Sequence, residues 1–157
     1  MQWQEVLADK SLQNLPYKIE LNQYGKIEMS PNKFLHSYLR GELISLLSMQ
    51  LDGNVFSNLA IKTTQGIKVA DIAWSSDSYY QQHKHDIAAS SAPEICVEII
   101  SPSNSKGEMK TKIDIYLKAG AIEVWLVNEQ GLVSFFNKTG EIETSSFNIS
   151  LHELIKH

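Results

Sequence analysis

Two carboxylates stand alone inside otherwise apolar stretches of this chain. Asp71 interrupts Val69-Ala70-Asp71-Ile72-Ala73-Trp74, and Glu98 interrupts Ile95-Cys96-Val97-Glu98-Ile99-Ile100. A carboxylate in a buried strand is costly unless it is paired, hydrogen-bonded or bound to a cation. Side chains of a strand alternate between faces. Asp71 is therefore expected to share a face with Val69 and Ala73, and Glu98 with Cys96 and Ile100. If the two strands are neighbours, the acids converge. Two close carboxylates repel each other, and burial disfavours their ionisation further. A divalent cation relieves both costs, and hard oxygen ligands suit Mg²⁺ or Mn²⁺. Such a cation polarises a phosphoryl oxygen and lowers the pKa of a bound water.

A predicted helix follows, carrying Lys112 and Tyr116. Four residues apart, they lie on one helix face. A lysine there suits holding a phosphate, orienting a water or stabilising developing charge. Tyr116 suits packing against the lysine stem or hydrogen-bonding a phosphate. Lys106, Lys110, Lys112 and Lys118 concentrate basic charge in this one segment. Lys110 is read as a substrate contact, and Lys110 or Lys106 stands next in line for the lysine's role.

These groups need elements to hold them. Residues 3–9 read as a short helix or docked arm. Tyr17 to Leu21 alternates like a strand, Asn22-Gln23-Tyr24-Gly25 reads as a turn, and Lys26 to Met29 as the returning strand. Apolar residues at helical spacing from Phe34 to Leu47 predict a helix over about 33–51, with Asn32 as its N-cap. Val55–Lys62 and Ile67–Trp74 read as strands around the turn Thr64-Gln65-Gly66. Residues 75–92 are polar and show no clear period, which predicts a long loop with room for a short helical turn. The Glu98 strand follows Pro93. A helix over about 104–119 stops at Gly120, and three strands follow: Glu123–Asn128, Val133–Asn137 and Glu141–Ser145. The tail from Ser150 to His157 is short and amphipathic. This order predicts an α/β (α+β) fold, a mixed central sheet flanked by helices, in one domain over residues 1–157.

Composition narrows the function classes. With 157 residues, 43% hydrophobic and 20% charged, the chain can build a real core and does not read as disordered. No apolar run approaches a membrane span, and the N-terminus lacks the pattern of a secretion signal. Cys96 is the only cysteine, which excludes an internal disulfide and a cysteine-based zinc site and makes the reducing cytoplasm the expected location. The net charge of −4 is not that of a protein that coats nucleic acid, although a local basic patch can still face phosphates.

Each feature also has a plainer reading. Asp71 fits a hydrogen-bonded structural acid at a strand bend. Lys112 fits a surface pair with Glu108. Tyr116 fits the core, and Glu20 and Glu28 fit solvent-facing strand positions. His83-Lys84-His85-Asp86 has metal-ligating residue types, yet no second cluster completes a site, so it reads as a polar loop near the mouth of the acidic site. Cys96 reads as a small buried hydrophobe.

Taken together, several segments carry a resemblance. They are Gly25-Lys26-Ile27-Glu28-Met29-Ser30-Pro31, His36, Val69 to Ala73, Pro93 to Ser103, Lys112 to Gly120, and Glu123 to Val127. In this order and spacing the chain resembles the Uma-two family of restriction endonucleases, within the PD-(D/E)XK nuclease superfamily. The resemblance implies a restriction-endonuclease-like fold and metal-dependent hydrolysis of a phosphodiester, most simply in DNA. Asp71, Glu98 and the Ile99 carbonyl would hold Mg²⁺ or Mn²⁺, with Glu20 as a further acid, and Lys112 would assist an in-line attack by water. The superfamily's usual lysine position, two residues after the glutamate, is Ile100 here, so Lys112 on the next helix would take over that role. The alternative is a catalytically inactive module that keeps the fold and binds nucleic acid or another partner. A homodimer would suit cutting both strands of a duplex.

Overall fold

The computed structural model describes residues 1–151, so most of the predicted amphipathic tail lies outside the described residues. Helix α1 spans Trp3–Ala8 and is followed by a 3₁₀ turn, Lys10–Leu12. Then come β1 (Tyr17–Leu21), β2 (Ile27–Pro31), α2 (Phe34–Gln50), β3 (Asn54–Thr63), β4 (Gly66–Ser75) and α3 (Asp77–His83). The chain continues through β5 (Ile95–Ile99), α4 (Lys106–Ala119), β6 (Glu123–Val127), β7 (Val133–Asn137) and β8 (Gly140–Ile142). Among the described residues no helix is long and apolar enough to cross a membrane.

Local chemistry accounts for most boundaries. α2 buries Leu39, Leu43 and Leu47, one residue per turn along one stripe. Its N-cap is Lys33 rather than the expected Asn32; the Asn32 N–H instead donates to the Pro16 carbonyl at 2.9 Å, which ties it to the strand pair before the helix. Ser105 caps α4, its Oγ accepting from Glu108 N–H at 3.1 Å, and Gly120 at φ 120° stops it. The segment 75–92 is more ordered than its composition suggests. Ser76 caps α3 by accepting from Tyr79 N–H at 3.2 Å. β8 is shorter than expected because Ser145 and Ser146 leave the ladder. Both hydroxyls donate to the buried carboxylate of Glu123, as does the Ser146 N–H at 2.7 Å.

The sheet runs in the order β2-β1-β4-β5-β6-β7-β8, with β3 also paired to β4. Among the described strand pairs only β5 and β6 are parallel, and α4 is the crossover between them. One core cluster joins α2 to Ile72, Trp74, Ile95, Val97, Ile99, Trp125 and Val127. The other joins Tyr116 of α4 to Ile61, Ala70, Cys96 and Val124.

β4 has three partners and two edges. β3 pairs along its whole length except at Asn58 and Asp71. On the other edge β1 touches only at Leu21–Ile67, and β5 only over Ile72–Trp74. Gly66 makes the first contact possible, since a Cβ there would overlap the carbonyl oxygens of Leu21 and Asn22. Beyond it β1 and β5 splay apart and leave a fork. Simple alternation also fails at this point. Val55 packs with the α2 cluster, whereas Leu59 and Ile61, of the same parity, pack with the α4 cluster. Ala70 and Ile72 divide in the same way. The break falls at Asn58, which sits at φ 53° opposite Asp71. Asparagine tolerates this left-handed conformation better than most residues.

Asn58→Gly is therefore expected to fold with little loss of stability. Asn58→Val should lose about 1–2 kcal/mol or more, because a β-branched residue resists positive φ. Denaturant melts of the two variants check this, and equal stability would mean that the kink does not depend on residue 58.

Candidate active site

The fork leaves polar backbone of β4 without a strand beside it, and buried backbone groups must find partners. Charged side chains supply them. The Val69 N–H donates to Glu20 Oε2 at 2.7 Å, and the Val69 carbonyl accepts from Lys18 Nζ at 3.0 Å. Across the gap, the Ile99 N–H, past the end of its ladder with β4, donates to Asp71 Oδ2 at 2.8 Å. Carbonyl and N–H of one strand residue point to the same edge, so the Ile99 carbonyl faces the fork as well.

Asp71 and Glu98 meet around one cation, the Lys18 ammonium. Its distances are 3.2 Å to Asp71 Oδ1 and 2.9 Å to Glu98 Oε2. All three groups are buried, with Glu98 only 1% exposed. The Tyr116 hydroxyl donates to Glu98 Oε1 at 2.6 Å. Arg40 Nη2 lies 3.8 Å from Asp71 Oδ1, and its Nε has no hydrogen-bond partner among the described residues.

Burial alone would lower the Lys18 pKa, but the carboxylates of Glu98, Asp71 and Glu20 outweigh it and hold the ammonium charged well above its ordinary range. Burial and the neighbouring Glu98 push the Asp71 carboxyl up to about 7, against the pull of Lys18. Burial also raises Glu98, but Lys18, then Lys112, overcome it and hold that carboxyl below its usual range. The two carboxyls are thus pushed in opposite directions, Asp71 up and Glu98 down, and titrate as a coupled pair.

Two adjoining cavities of about 250 and 420 Å³ open onto the pair. Glu98, Lys112, Asn104, Met29 and Ser30 line both. The smaller adds Lys18, Lys33, His36, Arg40 and Asp71, and the larger adds Glu20 and Tyr116. Lys112 thus faces the cleft and does not form the expected surface pair. Glu108 Oε2 accepts from Asn104 Nδ2 at 3.0 Å instead.

The structure brings together Asp71, Glu98, Ile99, Glu20, Lys112 and Tyr116, and it corrects three readings. Glu20, 8% exposed, faces the fork rather than solvent. The Tyr116 hydroxyl is fully engaged with Glu98, so it positions that carboxylate and is not free for a phosphate. Lys110 is exposed and lines neither cavity, because two residues turn a helix by about 200° and carry it away from the Lys112 face. Sequence reasoning missed Lys18 and Arg40. Lys18 and Glu20, opposite charges two residues apart in a strand, were one available signal for a shared polar face. Lys33, His36 and Arg40, at spacings of three and four, were the other.

The His83 cluster serves its own loop. Asp86 Oδ2 lies 2.8 Å from His83 Nδ1 and accepts from Ser90 N–H and Oγ, while Ser91 Oγ lies 3.3 Å from Nε2. The adjoining cavity of about 370 Å³ is lined by His83 and Asp86 but not by Ser91. Among the described residues no three His, Cys, Asp or Glu side chains are grouped to hold a metal ion. Cys96 is fully buried, and burial pushes its thiol up, as suits a packing residue.

Tyr116→Phe is expected to lose about 1.5–3 kcal/mol of stability, since Glu98 Oε1 would be left buried without its donor. A denaturant melt unchanged within about 0.5 kcal/mol would contradict the positioning role.

No protein of curated function matches the chain. Among solved structures it is similar to a crystal structure described as that of a putative nuclease belonging to DUF820 from Anabaena variabilis. The TM-score is 0.64 at 22% identity, over 87% of this chain and 79% of that one. The shared architecture is restriction-endonuclease-like, a mixed sheet flanked by helices. The Uma2 family model, described as putative restriction endonuclease, matches residues 3–156, and the chain belongs to that nuclease family.

Proposed function

We propose that the protein is a metal-dependent endonuclease that hydrolyses phosphodiester bonds in DNA. One observation carries this reading. Asp71 and Glu98, from neighbouring strands, each hold one oxygen in a fixed hydrogen bond and turn the other toward one shared cation beside a basic cleft. Two hard oxygens aimed at one cation-sized space, with the Ile99 carbonyl on the same edge, fit Mg²⁺ or Mn²⁺, which are commonly held by one or two carboxylates plus substrate phosphate. Glu20 accepts from the Val69 N–H and lines the larger cavity with Glu98, where it would serve as a further acid beside the metal. Bound there, the cation would supply charge stabilisation at the phosphoryl group and a water of lowered pKa.

The chain's own groups supply the rest. Arg40, Lys33 and His36 line the cleft on the Asp71 side, where the arginine suits a phosphate in bidentate fashion. Lys112 lines both cavities beside Glu98, so its ammonium is available to charge developing on the scissile phosphate. Water would attack phosphorus in line and give up one proton to solvent, the bond to the leaving sugar oxygen would break, and that oxygen would take up one proton from solvent. Tyr116 keeps Glu98 oriented throughout. A two-fold pair of such chains would suit both strands of a duplex. The alternative is an inactive module that binds nucleic acid. Ile100 at the superfamily's lysine position and the Lys18 ion pairs favour it.

Nicking or linearisation of plasmid DNA with Mg²⁺ or Mn²⁺ separates the two. Wild type should cut, Asp71→Asn and Glu98→Gln should lose cleavage, and Lys112→Ala should be slower by about 10²–10³-fold. DNA bound but never cut by folded, metal-loaded wild type would favour the inactive module. Cleavage that survives Glu98→Gln would sink the site.

Metal binding should depend on pH with a definite sign. Asp71 must lose its proton to hold a cation, and its carboxyl is pushed up to about 7. Affinity should therefore rise by up to about tenfold per pH unit toward pH 7 and level off above it, with proton release on binding. Calorimetric Mn²⁺ titrations in buffers of different ionisation enthalpy measure both, and a flat profile between about pH 5 and 8 would mean that Asp71 does not gate binding.

A further inference from the structure

Asp71 and Glu98 each divide their two oxygens between two duties. Asp71 Oδ2 holds the Ile99 N–H, and Glu98 Oε1 holds the Tyr116 hydroxyl. The remaining oxygens, Oδ1 and Oε2, both face Lys18 Nζ. A lysine ammonium has three donors. Here two go to the Val69 carbonyl at 3.0 Å and Glu98 Oε2 at 2.9 Å, and the ammonium also pairs with Asp71 Oδ1 at 3.2 Å, so Lys18 is committed to this cluster. The two oxygens it covers are the two that a metal ion would need. A Mg²⁺ ion sits about 2.0–2.1 Å from its ligand oxygens. An ammonium nitrogen 3.2 and 2.9 Å from the same oxygens fills the same space.

We propose that Lys18 is the resident counter-ion of the acidic pair, which a divalent cation must displace, so that Lys18 closes the site without metal and sets its metal affinity. The proposal rests on the reading of Asp71 and Glu98 as metal ligands. Two reasons favour exchange over coexistence. Without a cation the buried pair is strongly destabilised, so a metal-free sheet needs Lys18 where it is. Lys18 also lines the cavity of about 250 Å³, so its four-carbon stem can turn the ammonium into open space without moving β1. This role differs from that of a lysine that stays beside a bound metal to assist chemistry, because removing such a lysine slows turnover without tightening metal binding.

Mn²⁺ titration by calorimetry into wild type and Lys18→Met, with Asp71→Ala to identify binding at this site, is the test. Methionine has nearly the same length and no charge. Lys18→Met is expected to bind Mn²⁺ about tenfold or more tightly than wild type, to melt at a lower temperature without metal, and to gain more from added Mn²⁺. If wild type binds and Lys18→Met binds equally or more weakly, the counter-ion role is overturned while the metal site stands. If neither binds, both readings fall. Should Lys18→Met not fold, the buried Lys18 ammonium of wild type can be followed by ¹⁵N NMR. Its exchange-protected signal should be lost or shifted on saturation with Mg²⁺, and an unchanged signal in a Mg²⁺-bound protein would overturn the proposal.

Discussion

The unpaired edge of β4 is the constraint on which the site depends. β1 and β5 both dock on that edge, at opposite ends, and diverge between. Two ladders that separate leave N–H and C=O groups facing nothing, and such groups cannot remain unpaired in a core. Side chains long enough to cross the gap fill the places that a strand would have taken. Glu20 and Lys18 serve Val69, and Asp71 serves Ile99. The charged cluster is thus part of how the sheet is completed, and the candidate site lies where regular pairing runs out.

Buried charge explains the rest of the local architecture. Glu98 is almost wholly enclosed between the sheet and α4. It is tolerable there because Lys18 pairs with one oxygen and Tyr116 donates to the other. α4 is therefore both a packing element and an electrostatic one. Its apolar face carries Tyr116 into the core, and Lys112, one turn earlier, lines the cleft beside the same carboxylate. Arg40 does the corresponding job for Asp71 from α2, on the opposite side of the sheet.

Much of this was legible in the chain because its signals are local. Helical spacing marked α2 and α4, Gly120 marked the end of α4, and a lone acid in each of two apolar strands marked the candidate pair. Three things escaped. Lys18 was passed over, because the Lys18–Glu20 spacing marks at most a shared polar face and does not say that β1 turns that face toward groups 51 and 80 residues away in sequence. The kink at Asn58 breaks the face alternation through Asp71, and a period-two argument has no means of detecting one left-handed residue on the neighbouring strand. Lys110 was grouped with Lys112 by sequence proximity, whereas helical geometry turns it away.

By itself the sequence determined most element types, the mixed sheet between helices and the family, and it singled out the two acids as candidates, since hydrophobic period, capping chemistry and motif spacing are carried by neighbouring residues. Only the tertiary structure decided which cation stands between those acids, which of their oxygens remain available, and which lysine of α4 faces them. Those facts depend on where two distant strands part from a third, and strand divergence is a property of sheet twist and docking that no short stretch of sequence encodes.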